Sequence, residues 1–397
     1  MKYIFWVGFA WVTYVYVGYA VILLLLALRK KVEPKINESC TPTVSVLVAA
    51  RNEERDIAWK LRQTLAWDYP KDKLRVLVAS DASVDATDEI IKSFHDPRIT
   101  FVRMERQVGK NSALNELAKI STADILFFTD ANSDVSTGCL KRLIRYFADP
   151  RVGCVTGVES VLEAVEQPAL SLGTATYLNY ESLINQLESK IGSVLVCDGS
   201  IFCMKRTLFQ ELDPDLANDL ELPIRIGCGG HWILYDSETR SAERSTSSPQ
   251  EEFRRRRRIC AQGLLGLWRL RAELRGMRMW QFASRKVLRW FSLVPLIALC
   301  ISSALMMRQN VMFELLVVSE AVFCTAALLG CSSRLRRSQS GRVVGPPFHF
   351  MLALVAALLG MLDTCLGRRY SVWTIAEVSR GQASAGQLRS IEGSAKL

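Results

Sequence analysis

Apolar residues in this chain fall into two kinds of run: long uninterrupted blocks towards both ends, and short blocks separated by polar, helix-patterned stretches in the middle. Residues 4–28 carry no charge and are long enough to cross a hydrocarbon layer of about 30 Å. Further apolar blocks run from about 291 to 307, 311 to 331 and 348 to 365. In the middle, residues 44–50, 75–80, 99–102 and 124–129 have the length and composition of buried parallel strands. Residues 55–66 and 110–120 read as helices between them. This alternation predicts an open α/β sheet, with ligands bound outside the carboxyl ends of its strands.

The predicted organisation is a membrane anchor at 1–31, a soluble α/β domain at 42–275, an amphipathic helix at 276–290, a membrane region at 291–366 and a polar tail at 367–397. The first apolar block is too long for a cleaved signal peptide and no small-x-small site follows it; Arg29, Lys30 and Lys31 close it. Only Lys2 precedes it, so the excess of positive charge places the soluble domain in the cytoplasm of a multi-pass cell-membrane protein. The basic connection holding Arg334, Arg336, Arg337 and Arg342 belongs on the same side. Full passage of the 348–365 block would leave Arg368 and Arg369 outside, so a re-entrant or groove-lying course stays open. Glu314 and Glu320 fall inside the third block, near a headgroup or facing a polar partner. In 278–290, Met279, Phe282, Ala283, Val287 and Trp290 share one side and Arg278, Gln281, Arg285 and Arg289 the other. That pattern suits a membrane interface, or packing against the soluble domain.

Segregation of apolar residues explains how 49% hydrophobic content coexists with 23% charged residues in 397. The net charge of +10 suits anionic headgroups or bound phosphates rather than nucleic acid. Eleven cysteines without a C-x-x-C pair or Cys/His cluster argue against a zinc framework. They read as reduced thiols, with Cys154, Cys203 and Cys324 serving as small packing residues.

Polar residues gather at the predicted strand ends. The first strand ends in Arg51-Asn52-Glu53-Glu54, the second in Asp81-Ala82-Ser83-Val84-Asp85-Ala86-Thr87, and the fourth in Asp130-Ala131-Asn132. Carboxylates on neighbouring strand ends repel one another unless a cation or hydrogen-bonding hydroxyls compensate. Helix capping accounts for each acid singly, and less well for all of them together.

These residues resemble those of the inverting family 2 glycosyltransferases that include cellulose, chitin, hyaluronan and poly-N-acetylglucosamine synthases. The resemblance spans roughly 42–270 and implies a GT-A-like nucleotide-binding domain joined to transmembrane helices. It implies that Glu53 and Asp81 contact ribose and uracil, and that Lys110, in a Gly109-Lys110-x-x-Ala113-Leu114-Asn115 segment, approaches the donor diphosphate. Asp130-Ala131-Asn132 stands where the family carries its metal-binding D-x-D motif, with an amide in place of the second acid; Mg²⁺ or Mn²⁺ is the implied ion, and Asp134 is a further candidate ligand. Asn218-Asp219-Leu220-Glu221-Leu222-Pro223 resembles the segment bearing the catalytic base, which assigns that role to Asp219. Asp198 and Gly199 match an acceptor-side loop. Arg255 and Arg258 align with the first and last polar positions of the family's Q-x-x-R-W, Arg258 as a phosphate contact, while Ile259 replaces the stacking Trp. The implied partners are a nucleotide-sugar donor (a UDP-sugar in the family pattern), a glycan or lipid-linked acceptor, membrane lipid, and export or synthase subunits. Three readings remain: growth of a glycan, single transfer to a lipid-linked acceptor, or a catalytically silent subunit of a synthase.

Overall fold

A computed structural model of the protein describes residues 1–29, 31–162, 168–244, 248–338 and 340–370; Lys30 of the basic stop and the tail from 371 onward lie outside the described residues. At its centre β1 (Val44–Ala50) has all its residues buried, as an apolar run without alternation requires. It lies parallel to β2 (Leu74–Ser80) on one side and β4 (Ile125–Phe128) on the other, with Val44 opposite both Leu74 and Ile125. β3 (Ile99–Arg103) pairs in parallel outside β2. The remaining strands are β5 (Asp134–Val135), β6 (Val152–Leu162), β7 (Phe202–Lys205) and β8 (Trp232–Arg244), giving an eight-stranded sheet in the order β3-β2-β1-β4-β7-β6-β8-β5.

The parallel half matches the sequence expectation. The other half is mixed, because β7 runs antiparallel to β4 and β6, and β5 antiparallel to β8. Side chains of β1 alternate between two cores. Val46 and Val48 join Ile57 and Leu61 of α1 (Ile57–Leu65), while Leu47 and Ala49 join Leu114 and Leu117 of α2 (Lys110–Ile120). The sheet grows to one side of β1 through β2 and β3, then resumes on the other side at β4. That reversal opens a crevice beyond the carboxyl ends of β1 and β4.

Among the described residues, three helices are long and apolar enough to cross a membrane: Lys2–Arg29, Val311–Leu329 and Gly341–Cys365. A bent pair, Gly276–Trp290 and Leu293–Gln309, meets at 57° and makes a fourth if it is one span. On Val311–Leu329, Leu315 is 67% and Leu328 72% exposed, and Val311, Val318 and Val322 lie open beside them. Such a surface is costly in water and comfortable in hydrocarbon. Glu320 accepts the Ser303 hydroxyl at 2.6 Å from the neighbouring helix, so this carboxylate has a polar partner, whereas Glu314 is exposed in the first turn. Cys154 and Cys203 are buried as expected, but Cys324 is exposed on Val311–Leu329.

The fourth apolar block begins earlier than its hydropathy suggested, at Gly341, and docks on the soluble domain. Gly360 lies so close to the Arg257 carbonyl that a Cβ would overlap it. Arg257 forks onto the buried Asp363 (Nη2 to Oδ1, 2.7 Å), and the Thr364 hydroxyl donates to the Ala261 carbonyl at 2.9 Å.

Helix Gly276–Trp290 turns its polar side inward, against the helix Pro168–Lys190. Gln281 and Arg285 are 0% and 2% exposed. The Arg285 guanidinium donates to Glu188 and Glu181 at 2.6 Å each, both on the helix Pro168–Lys190. Glu188 also accepts the Tyr19 hydroxyl at 2.6 Å from the first apolar helix and the Leu195 backbone N–H at 2.9 Å. A buried carboxylate is tolerable only with such partners, and stripping one ion from a buried pair costs roughly 3–5 kcal/mol. Arg285→Leu therefore lowers the unfolding free energy in detergent by about that amount, and Arg285→Lys by less; a loss no larger than that of the exposed Arg271→Leu would contradict the assignment.

Candidate active site

The turns that follow β1 and β2 are locked together. Asn52 and Ala82 both adopt φ of 51°, a left-handed conformation that is uncommon outside glycine. The Asn52 N–H donates to the Ser83 hydroxyl at 3.1 Å, the Glu53 N–H to the Thr87 hydroxyl at 2.7 Å, and the Val84 N–H to the Asn52 side-chain oxygen at 2.9 Å. Glu54 and Asp85 exchange backbone-to-carboxylate bonds, Glu54 N–H to Asp85 at 3.2 Å and Ala86 N–H to Glu54 at 3.2 Å. Both motifs thus build a rigid rim on which Glu53 is partly buried.

Asp81 is fully buried, and its two carboxylate oxygens accept the Val108 and Gly109 N–H groups at 2.7 and 3.0 Å. Its carboxylate therefore holds the loop that starts α2. Gly109 has φ of 91°, so the turn before Lys110 is one that a side chain would strain. From there the Lys110 ammonium reaches Asp130 beyond β4 and forms an ion pair with it. Asn132 is exposed two residues further on. Asp134 is held by the Gln63 amide.

Lys60, which the motif reading passed over, fixes this loop from behind. It is fully buried, and its ammonium donates to the Thr129 hydroxyl at 2.7 Å and the Ser133 carbonyl at 2.9 Å. Its signal was its register: Ile57, Lys60, Leu61 and Thr64 share one helical face, and all are buried.

Asp219 lies in the first turn of α3 (Asn218–Cys228), half-buried. Burial raises its carboxyl above the usual aspartate range; Lys110, Lys286 and Arg258 pull it back down, and the like charge of Asp130 pushes it up. These charges act on one another because α2, the β4 end, α3 and two further helices converge here. A Cβ on Gly199 would stand 3.5 Å from the Asp219 carboxylate. The Asp198 carboxylate accepts the N–H of Ser200 at 2.8 Å and its hydroxyl at 2.6 Å, which shapes that loop.

In α4 (Pro249–Leu270) the arginine run divides its work. Arg256 pairs with Glu252 at 2.5 Å and Arg257 with Asp363, while Arg258 feels both Asp219 and Asp130. Lys286, on the helix Gly276–Trp290, was not anticipated; no local motif marks it.

Lys110, Asp130, Asp219, Arg258 and Gly199 are thus brought together, and Glu53 and Asp81 lie on the adjoining strand ends. Such a pocket offers a carboxylate able to take a proton, cations for a diphosphate, and a backbone without side chain against which a ring can lie.

Residues 45–212 match the family model described as Glycosyl transferase family 2. The chain is similar to the Probable glycosyltransferase YdaM of Bacillus subtilis (strain 168), at 30% identity over 210 residues, 49% of each chain. It is also similar to the Beta-monoglucosyldiacylglycerol synthase of Synechocystis sp., at 29% over 43% of this chain and 37% of that one. A third relative is the Poly-beta-1,6-N-acetyl-D-glucosamine synthase of Staphylococcus aureus (strain COL), at 26% over 53% and 51%. The chain spans about half the length of the curated relatives it matches. Among solved structures, the mannosyltransferase PcManGT of Pyrobaculum calidifontis, in complex with GDP-Man and Mn²⁺, superposes with a TM-score of 0.67 at 20% identity, covering 89% of this chain and 99% of that one. The fold is therefore GT-A-like.

Lys60→Met removes the charged donor from Thr129 and Ser133 and costs about 1–3 kcal/mol of stability, read by urea unfolding in detergent. Unchanged stability would show that the Asp130 loop does not depend on it.

Proposed function

We propose that the chain is an inverting glycosyltransferase that moves a sugar from a nucleotide-activated donor, a UDP-sugar in the family pattern, to an acceptor at the cytoplasmic face of a cell membrane. The observation that supports it most is Asp219, a half-buried carboxylate beside Gly199, set among Lys110, Lys286, Arg258 and Asp130. An acceptor hydroxyl attacks the anomeric carbon, Asp219 takes its proton, and the bond from that carbon to the diphosphate breaks on the opposite face. The leaving diphosphate gains negative charge, which Lys110 and Arg258 offset. Lys110 neutralises Asp130 in the structure, so donor phosphate competes for the same ammonium. Glu53 and Asp81, at the rim and floor of the β1 and β2 ends, are proposed to line the nucleoside side, and Asp198 and Gly199 the acceptor side.

A divalent cation fits the donor set. Asp130 supplies a carboxylate and Asn132 a neutral oxygen, and a cationic group already rests on Asp130. Among the described residues no cluster of three or more His, Cys, Asp or Glu forms a nest for a metal. The remaining ligands would be phosphate oxygens and water, the usual arrangement for Mg²⁺ or Mn²⁺ at a nucleotide. Bound there, such an ion would screen the charge on the diphosphate.

Ile259, 41% exposed where the resembled family pattern has a stacking Trp, favours a single transfer to a lipid-linked acceptor as the second reading. Labelled donor separates the two: a polymer ladder supports extension, and one discrete extractable lipid supports single transfer.

Asp219→Asn is expected to lower kcat by roughly 10²–10⁴-fold in an assay of nucleoside diphosphate release from nucleotide sugars with purified full chain and Mn²⁺. Because burial raises this carboxyl, the wild-type rate falls on acidification at a pH above the ordinary aspartate value and recovers as pH rises. Full activity in Asp219→Asn would remove the base assignment, whereas no release by the wild type would leave the silent-subunit reading.

A further inference from the structure

A cleft of about 310 Å³ lies away from the carboxyl ends of β1 and β4, bordered by Leu26, Ser193, Gly227, Trp232, Met277 and Arg278. Its volume is at the lower end of small-ligand sites. Leu26 sits in the last turn of the apolar helix Lys2–Arg29, so in a bilayer the cleft opens at the depth of lipid headgroups. Arg278 is 8% exposed; one N–H donates to the Val194 carbonyl at 3.0 Å, and the guanidinium lies flat on Gly227, where a Cβ would overlap it. None of the described residues bordering the cleft is Asp or Glu, while His231 adds a second basic side chain and Trp232 and Met277 give apolar walls. A buried guanidinium between apolar walls at headgroup depth has the chemistry of a phosphodiester site, because the arginine fork matches phosphate and the walls accept a glycerol backbone.

We propose that this cleft binds the phosphate headgroup of an anionic membrane lipid, with Arg278 as its principal contact. Arg278 also holds Val194, in the loop that continues to Asp198 and Gly199, so an occupied cleft stiffens the segment beside Asp219. The proposal rests on the membrane placement of Lys2–Arg29 and not on sugar transfer.

The test is native mass spectrometry of the detergent-purified full chain titrated with phosphatidylglycerol or phosphatidylcholine. The wild type is expected to retain phosphatidylglycerol about tenfold more tightly. Arg278→Gln and Met277→Glu should both lose that preference. Met277 is 43% exposed at the rim, so its substitution reports on binding even if Arg278→Gln fails to fold. Equal retention of the two lipids by the wild type, or an undiminished preference in Met277→Glu, overturns the site. Displacement of phosphatidylglycerol by inorganic phosphate at matching affinity would make the ligand a soluble anion and overturn the lipid assignment. Flotation with phosphatidylcholine vesicles keeps the two readings apart: a chain that does not float loses its membrane placement, whereas one that floats without lipid preference loses only this site.

Discussion

Two carboxylates that share one crevice cannot both stay charged unless cations are brought to them, and the architecture around Asp130 and Asp219 meets that constraint from several directions. Lys110 comes from the start of α2, Arg258 from α4 and Lys286 from the helix Gly276–Trp290. Each arrives on an element whose placement is fixed elsewhere: α2 by Asp81 through Val108 and Gly109, α4 by Arg257 on Asp363, and Gly276–Trp290 by Arg285 on Glu188 and Glu181. An excess of positive charge is also what a diphosphate needs. The charge balance that lets these carboxylates share the crevice therefore equips it for its proposed ligand.

The apolar helices are part of that same balance. Glu188 gathers a tyrosine from the first apolar helix, an arginine from Gly276–Trp290 and a backbone N–H from the loop before Asp198. Gln281 adds bonds to Ser193, accepting its hydroxyl at 2.6 Å and donating to its carbonyl at 2.7 Å. The loop of Asp198 and Gly199 is consequently tied to the first apolar helix and to Gly276–Trp290.

Legibility in the sequence followed the range of the interaction. β1, β2 and β4 were readable because each is a local apolar run ended by polar residues, and α2 because its periodicity and Gly109 are local. β5 to β8 were not readable, since β6 and β8 pair across about 80 residues and alternate too weakly to stand out. The inward turn of Arg285 was hidden for a similar reason: its carboxylates lie about a hundred residues earlier on another helix. At the site, Lys110, Asp130, Asp219 and Arg258 lie together, but Asp81 proved to hold the Lys110 turn through its carboxylate, and Arg256, Arg257 and Arg258 proved to have different partners. Lys60 was visible in the helical pattern of α1, whereas nothing adjacent to Lys286 in sequence marks it.

The most direct measurement is the affinity of the purified full chain for a nucleoside diphosphate in the presence of Mn²⁺, compared among wild type, Lys110→Met and Asp219→Asn. A shared crevice in which Lys110 serves the diphosphate and Asp219 opposes it predicts opposite signs: Lys110→Met weakens binding about tenfold or more, and Asp219→Asn leaves it unchanged or tightens it. Loss of binding in Asp219→Asn comparable to that in Lys110→Met, or no effect of Lys110→Met, would contradict the account.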